Sequence, residues 1–152
     1  MTVSSYALAP RERQILAGLA DGDTLVEVAA RLQISYGTAQ TYRRHAKAKL
    51  HGVSESTAAL AVAYANEAIA APEQLDPEAI VVPPEQRDLI ALLARGFTPS
   101  QMATELRRPI SVVRADGRSL LVTLRAKNNC QAIKRAWQYG LLTRDEVMAW
   151  LP

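Results

Sequence analysis

Apolar residues recur along this chain at intervals of three and four, which is the spacing of one face of an α-helix. Leu25, Val28, Ala29 and Leu32 follow this spacing in the first half of the chain. No stretch alternates apolar and polar residues for long enough to indicate a sheet. The pattern therefore predicts an all-α protein.

Start and stop signals divide the apolar pattern into separate helices. Pro10 suits the first position of a helix, and Gly22 suits the residue that follows its end. Thr24 and Glu27 have the spacing of a capping box, in which each side chain bonds the backbone of the other residue. Ser35 suits the cap of a third helix, and an alanine-rich fourth helix is predicted after it.

The same signals return 74 positions later in the chain, where Pro84 stands for Pro10 and Gly96 for Gly22. The alignment continues without a gap, so we predict two copies of one small helical domain. About 60 residues is marginal for an isolated core, which favours mutual packing or dimerisation. The predicted organisation is a first four-helix domain at 6–71, a proline-containing linker at 72–79, a second, divergent domain at 80–142, and a short C-terminal helix at 143–152 capped by Thr143.

Composition narrows the function only slightly. The net charge is +3 and the sequence pI is about 9.2, which leans weakly towards a polyanionic partner. One cysteine, Cys130, suits a reducing compartment, and no apolar run is long enough to span a membrane. There is no glycine-rich phosphate loop, no metal-ligand spacing of His or Cys and no nucleophile motif. We predict no catalysis, no cofactor, no metal and no membrane contact, and a cytoplasmic, nucleoid-associated location.

The third predicted helix carries the candidate chemistry. Ala39, Tyr42, Ala46 and Leu50 fall on one inward face, which leaves a polar and basic outer face. A helix, a short turn and a basic helix is the arrangement that enters a DNA major groove. Gln pairs with adenine and Arg with guanine, whereas lysines further along the helix meet phosphates. The outer face consists of Gln40, Thr41, Arg43, Arg44, Lys47 and Lys49.

Several residues in a fixed order carry a family resemblance. They are Leu8, Pro10 and Arg13, then Gly22, then the run from Glu27 to Leu32, then the run from Ile34 to Ala39, then Lys49 and Leu50. From about residue 6 to 66 the chain resembles the DNA-binding domain of LuxR/FixJ (GerE-type) regulators. The resemblance implies a four-helix helix-turn-helix domain of bacterial transcription regulators, whose third helix enters the major groove and whose fourth commonly carries the dimer contact. Residues 80–140 are similar to a second, more divergent copy.

The resemblance also implies which side chains contact DNA. Base contacts are expected from Gln40, Thr41 and Arg44, and from Arg114 and Arg118 at the same register in the second copy. The resemblance implies phosphate contacts from Thr38, Arg43 and Lys49, and a phosphate contact is expected from Lys47 because it lies further along the helix.

The chain departs from the family pattern at several positions. Lys47 replaces an apolar residue and Tyr42 replaces a common histidine. In the second copy Pro109 stands at the Ser35 position, Asp116 at the Tyr42 position, and Gly117 lies within the helix. DNA contact is therefore a weaker expectation for the second copy than for the first.

The leading hypothesis is a bacterial regulator that binds double-stranded DNA sequence-specifically. One alternative is a protein-interaction module that uses the same fold to bind another regulator or RNA polymerase. Another is sequence-tolerant DNA binding in a phage, plasmid or chromosome role. A homodimer through the alanine-rich helix at 57–71 or through the second copy is also expected under the first hypothesis.

Overall fold

The computed structural model describes residues 7–151, so Tyr6 and Pro152, at the ends of two predicted segments, lie outside the described residues. Residues 7–151 form nine α-helices and no strand, which confirms the all-α prediction over this range. The first four helices are α1 (Pro10–Ala20), α2 (Leu25–Leu32), α3 (Tyr36–Lys49) and α4 (Ser56–Ala65). The others are α5 (Pro84–Ala94), α6 (Pro99–Leu106), α7 (Ile110–Leu124), α8 (Asn129–Gln138) and α9 (Arg144–Trp150).

Most predicted caps are present. The Thr24 hydroxyl accepts a hydrogen bond from the Glu27 amide at 3.2 Å, and the Glu27 carboxylate accepts one from the Thr24 amide at 2.9 Å. Ser35 caps α3 by accepting from the Thr38 amide at 3.0 Å. Thr143 caps α9, as predicted. Local polar side chains therefore fix where these helices begin.

The fourth helix is shorter than the sequence indicated. It ends at Ala65 rather than near residue 70, and Glu67 adopts a left-handed backbone with φ of 62°. The Asn66 side chain accepts a hydrogen bond from the Ala68 amide at 3.0 Å. This local turn competes with the helix and stops it.

The helix boundaries repeat along the chain. Helices α5, α6 and α7 begin 74 residues after α1, α2 and α3, respectively. A capping box at Thr98 and Gln101 also repeats the one that begins α2. Pro109, which replaces the Ser35 cap, provides no side-chain hydrogen bond to α7.

One hydrophobic core joins the two halves of the chain. The same cluster contains Leu16 and Leu60 from the first half and Ile90, Leu120 and Ile133 from the second. The two halves therefore share buried side chains, and the division into two domains joined by a linker stays a prediction. The expected mutual packing is confirmed.

Helix α4 lies at the centre of this core. Every residue from 58 to 65 is buried, and α4 packs against α5, α8 and α9. The Tyr64 ring stacks on the Trp137 ring with centroids 5.6 Å apart. The helical part of the alanine-rich segment is therefore covered by the same chain, and the expected homodimer through residues 57–71 or through the second copy stays a prediction.

The contacts between the halves are reciprocal. Helix α8 packs against α1, while α4 packs against α5, and α4 and α8 pack on each other. The Asn128 side-chain amide donates to the Gly22 carbonyl at 2.8 Å, and Lys134 forms an ion pair with Asp21. At the equivalent end of α5, Gly96 lies against the side chain of Glu55, just before α4.

No helix within residues 7–151 has both the length and the hydropathy needed to cross a membrane.

Candidate nucleic-acid interface

Helix α3 is anchored by small residues on one side. Ala39 is fully buried in a cluster with residues of α1 and α2, against which Tyr42 packs half-buried, and Ala46 is fully buried in the core that both halves share. Small side chains at these positions let α3 lie close to its neighbours. The opposite side of α3 faces solvent, which is the orientation predicted from the sequence.

The outer side of α3 is strongly basic. The helix contains Arg43, Arg44, Lys47 and Lys49 and no acidic residue. Gln40 and Arg44 are exposed, and together with Arg43 and Lys47 they line a shallow groove that continues along residues 52–54. The structure therefore brings four of the predicted contact residues to one continuous surface.

The two threonines near the start of α3 differ in their freedom to bind a ligand. Thr38 is exposed, and its hydroxyl accepts a hydrogen bond from the Ser35 hydroxyl at 2.9 Å. Thr41 is half-buried, and its hydroxyl donates to the Gly37 carbonyl at 3.1 Å. The Thr41 proton is therefore engaged within the helix, which leaves its methyl group and oxygen lone pair for an outside contact.

Lys47 occupies a less polar position than the other basic residues. Burial lowers the pKa of its ammonium, and the positive charge of Arg43 lowers it further, whereas the negative charge of Glu55 raises it. Burial raises the pKa of the Cys130 thiol to about 11, so this side chain is neutral at physiological pH. Cys130 belongs to α8 and packs against the cluster that contains Ala39 of α3, so the second half of the chain contacts the buried side of this region.

Lys49 forms an ion pair with Glu12, a buried acid of α1 that the sequence analysis did not single out. Its ammonium donates to the Glu12 carboxylate at 2.8 Å, and Glu12 also accepts from the Ala9 amide at 2.9 Å. Burial raises the pKa of Glu12, but these hydrogen bonds and the charges of Lys49 and His45 outweigh it, so the pKa is lowered. Lys49 therefore anchors α3 to α1 in addition to facing solvent.

The matching helix of the second half carries less charge. Arg114 and Arg118 are exposed on α7 and form no ion pair within the described residues. Asp116 lies between them in sequence but is half-buried, and its Oδ2 atom has no hydrogen-bond partner within residues 7–151. The two arginines lie in the other half of the molecule from the α3 surface.

The equivalent of the Glu12–Lys49 pair is uncharged in the second half. Gln86 and Thr123 occupy the corresponding positions, and the Thr123 hydroxyl lies 2.6 Å from the Gln86 side-chain oxygen. In each half, a partly buried polar contact therefore joins the end of one helix to another, α3 to α1 in the first half and α7 to α5 in the second.

Comparison with known families identifies part of the chain. Residues 6–63 match the GerE model of bacterial regulatory proteins of the luxR family. The matched region, which covers α1, α2, α3 and most of α4, is similar to the domain of that family. The match does not extend into the second half. Comparisons with curated proteins and with solved structures find no match.

Proposed function

We propose that this protein is a bacterial, cytoplasmic and nucleoid-associated transcription regulator that binds double-stranded DNA sequence-specifically by inserting α3 into the major groove. The observation that carries the proposal is the surface of α3, which has four Lys or Arg residues and no acid, within a LuxR-family domain. Cations on a helix of this kind bind phosphates, and exposed polar side chains near its start contact base edges.

Individual roles follow from exposure along α3. Gln40 and Arg44 are exposed and suit base contacts, and Thr41 suits a thymine methyl group because its proton is engaged. The groove position of Arg43 and Lys47 suits phosphate contacts. Thr38 and Lys49 complete the phosphate set, with Lys49 the weaker because Glu12 shares its ammonium.

The second half is proposed as a second, divergent domain of the same kind at 80–142, with Arg114 and Arg118 as base contacts. The repeated helix boundaries support this assignment. The reciprocal contacts of α8 with α1 and of α4 with α5 are those expected when two copies are related by a pseudo-two-fold axis. A single chain would then contact two half-sites in inverted orientation.

Selection of duplexes from a random library with the full chain, at about 0.15 M salt, tests the proposal. We expect enrichment of a motif with two inverted elements and retention that weakens steeply as salt rises. Enrichment of a single element would mean that the second half does not contact DNA. Retention of all duplexes alike would favour sequence-tolerant binding, and no retention would favour the protein-interaction alternative.

The role of Arg44 is tested by Arg44→Ala in the full chain. Loss of a base contact should cost about 1–3 kcal/mol at the selected site and relax the preference at one base pair. Arg144→Ala, an equally exposed change on α9, serves as the control and should leave binding unchanged. Unchanged affinity and preference in Arg44→Ala would rule out α3 as the helix that contacts bases in this way.

A further inference from the structure

A cavity lies in the second half of the molecule, between α5, α6 and α7. Its volume is about 250 Å³, and apolar side chains form most of its wall, among them Leu89, Leu93, Met102 and Leu120. These four side chains are buried in the shared core. The cavity is therefore a cleft between packed helices that opens to solvent on one side.

Two residues that line the cavity are smaller than their counterparts in the first half. The positions of Pro99 and Gly117 are held in the first half by Leu25, which is only 6% exposed, and by Arg43. The second half thus has a proline ring and a hydrogen atom at positions where the first half has longer side chains. A Cβ atom added at Gly117 would meet nothing within 4 Å, so close packing does not require this glycine.

Two cations stand at the solvent side of the cavity. Arg114 and Arg118 line it, are exposed, and lie four residues apart on the same face of α7. Neither forms an ion pair within residues 7–151. Guanidinium groups bind carboxylates through paired hydrogen bonds, so an anionic group at this mouth would be stabilised.

We propose that this cavity binds a small amphipathic carboxylate, with its apolar body between α5, α6 and α7 and its carboxylate on Arg114 and Arg118. The volume limits the size of the ligand. An apolar cavity of about 150 Å³ is known to hold benzene, so 250 Å³ accommodates about ten carbon atoms in proportion. Apolar walls with a few polar groups at one end are the usual form of a small-molecule site.

The proposed site has a consequence for DNA binding, and this consequence rests on the proposed function. The ligand carboxylate and the DNA would compete for the same two arginines of α7, while α3 would be unaffected. Ligand binding would therefore weaken contact with one half-site and leave the other. The site itself is tested without DNA, so a failure of DNA binding and a failure of ligand binding are separate results.

Isothermal titration calorimetry of the full chain with decanoate, below its micelle concentration, tests the site, with decanol as the neutral counterpart. We expect saturable binding of one decanoate per chain, at least about tenfold tighter than decanol, or about 1.4 kcal/mol. Absence of saturable decanoate binding would overturn the proposal. Equal affinity for decanoate and decanol would overturn the role of the arginines.

Three variants locate the binding. Gly117→Leu fills the cavity from its wall and should weaken decanoate binding at least about tenfold, and Arg114→Gln with Arg118→Gln should do the same while preserving the core. Ala115→Leu adds the same bulk at an exposed position of α7 that does not line the cavity, and should bind normally. Full affinity in Gly117→Leu, or equal loss in Ala115→Leu, would place the ligand elsewhere. If Gly117→Leu does not fold, the exposed arginine double variant decides.

Discussion

The two three-helix units of this chain, α1–α3 and α5–α7, have the same spacing of helix starts but differ in chemistry. Helix α3 carries four Lys or Arg residues and no acid, whereas α7 carries Arg114, Arg118 and the acidic Asp116. In the first unit Ile15 is fully buried, and in the second unit its counterpart Leu89 lines a cavity.

The comparison shows which residues maintain the fold and which are free to change. Prolines at helix starts, glycines after helix ends and threonine caps recur in both units. Each of them acts within a few residues, because it either ends a helix or bonds the backbone groups that are left unpaired at a helix end. Side chains that only face solvent or fill the interior have diverged. The same backbone plan can therefore carry a basic surface in one unit and an apolar cavity in the other.

The largest expected difference between the units is in core stability. Ile15→Ala should lower the free energy of unfolding by about 3–4 kcal/mol, because Ile15 is fully packed. Leu89→Ala should cost less, about 2 kcal/mol, because Leu89 lines a cavity and already lacks some contacts. Urea denaturation of both variants measures the two losses. An equal or larger loss for Leu89→Ala would show that the second unit is as tightly packed as the first.

The stability lost on removing the Glu12–Lys49 contact and the Gln86–Thr123 contact should differ by a smaller amount than the two core losses. Lys49→Met leaves the buried Glu12 carboxylate without its cation, and we expect a loss of about 1–2 kcal/mol. This is less than for a fully buried pair, because the Lys49 side chain is 41% exposed. Thr123→Val removes only a neutral hydrogen bond and should cost about 1 kcal/mol. If the two losses were equal, the charge of the first contact would contribute nothing.

The pH dependence separates the two contacts further. The pKa of Glu12 is lowered in the folded protein from an ordinary value of 4.5, so its ionised form stabilises the fold above that pH. This contribution is lost as the pH falls through the folded pKa. The stability gap between the unmodified chain and Lys49→Met should therefore be full at pH 7 and narrow below about pH 4.5. The gap for Thr123→Val should not follow this change.

The smallest expected effect concerns the glycine within α7. Gly117→Ala should stabilise the protein by up to about 1 kcal/mol, because alanine favours a helix and the added methyl group meets no atom within 4 Å. The contrasting variant is Gly18→Ala in α1, where the added carbon would lie 2.6 Å from a Val28 methyl group and should destabilise the protein. Thermal unfolding measures both changes. Destabilisation by Gly117→Ala would mean that the helix tolerates no added methyl group there.

Local signals in the sequence predicted the helices well and the arrangement of the halves only in part. The caps at Thr24, Ser35 and Thr143 were found because a cap and its partner lie three residues apart. The central place of α4 was missed, although its sequence holds no charged residue and so has no face suited to solvent. The Glu12–Lys49 contact joins residues 37 positions apart, a separation at which sequence spacing gives no guide.

The sequence by itself determined the all-α class, the repeat of helix boundaries and the basic face of α3, since helical periodicity and capping act over a few residues. Only the tertiary structure decided that the halves share one core, that α8 reaches α1, and that the second unit contains a cavity. The Asn128–Gly22 hydrogen bond spans 106 positions. Contacts of this kind, and the volume left between packed side chains, depend on how whole helices fit together in space, because close packing is a property of all neighbours at once.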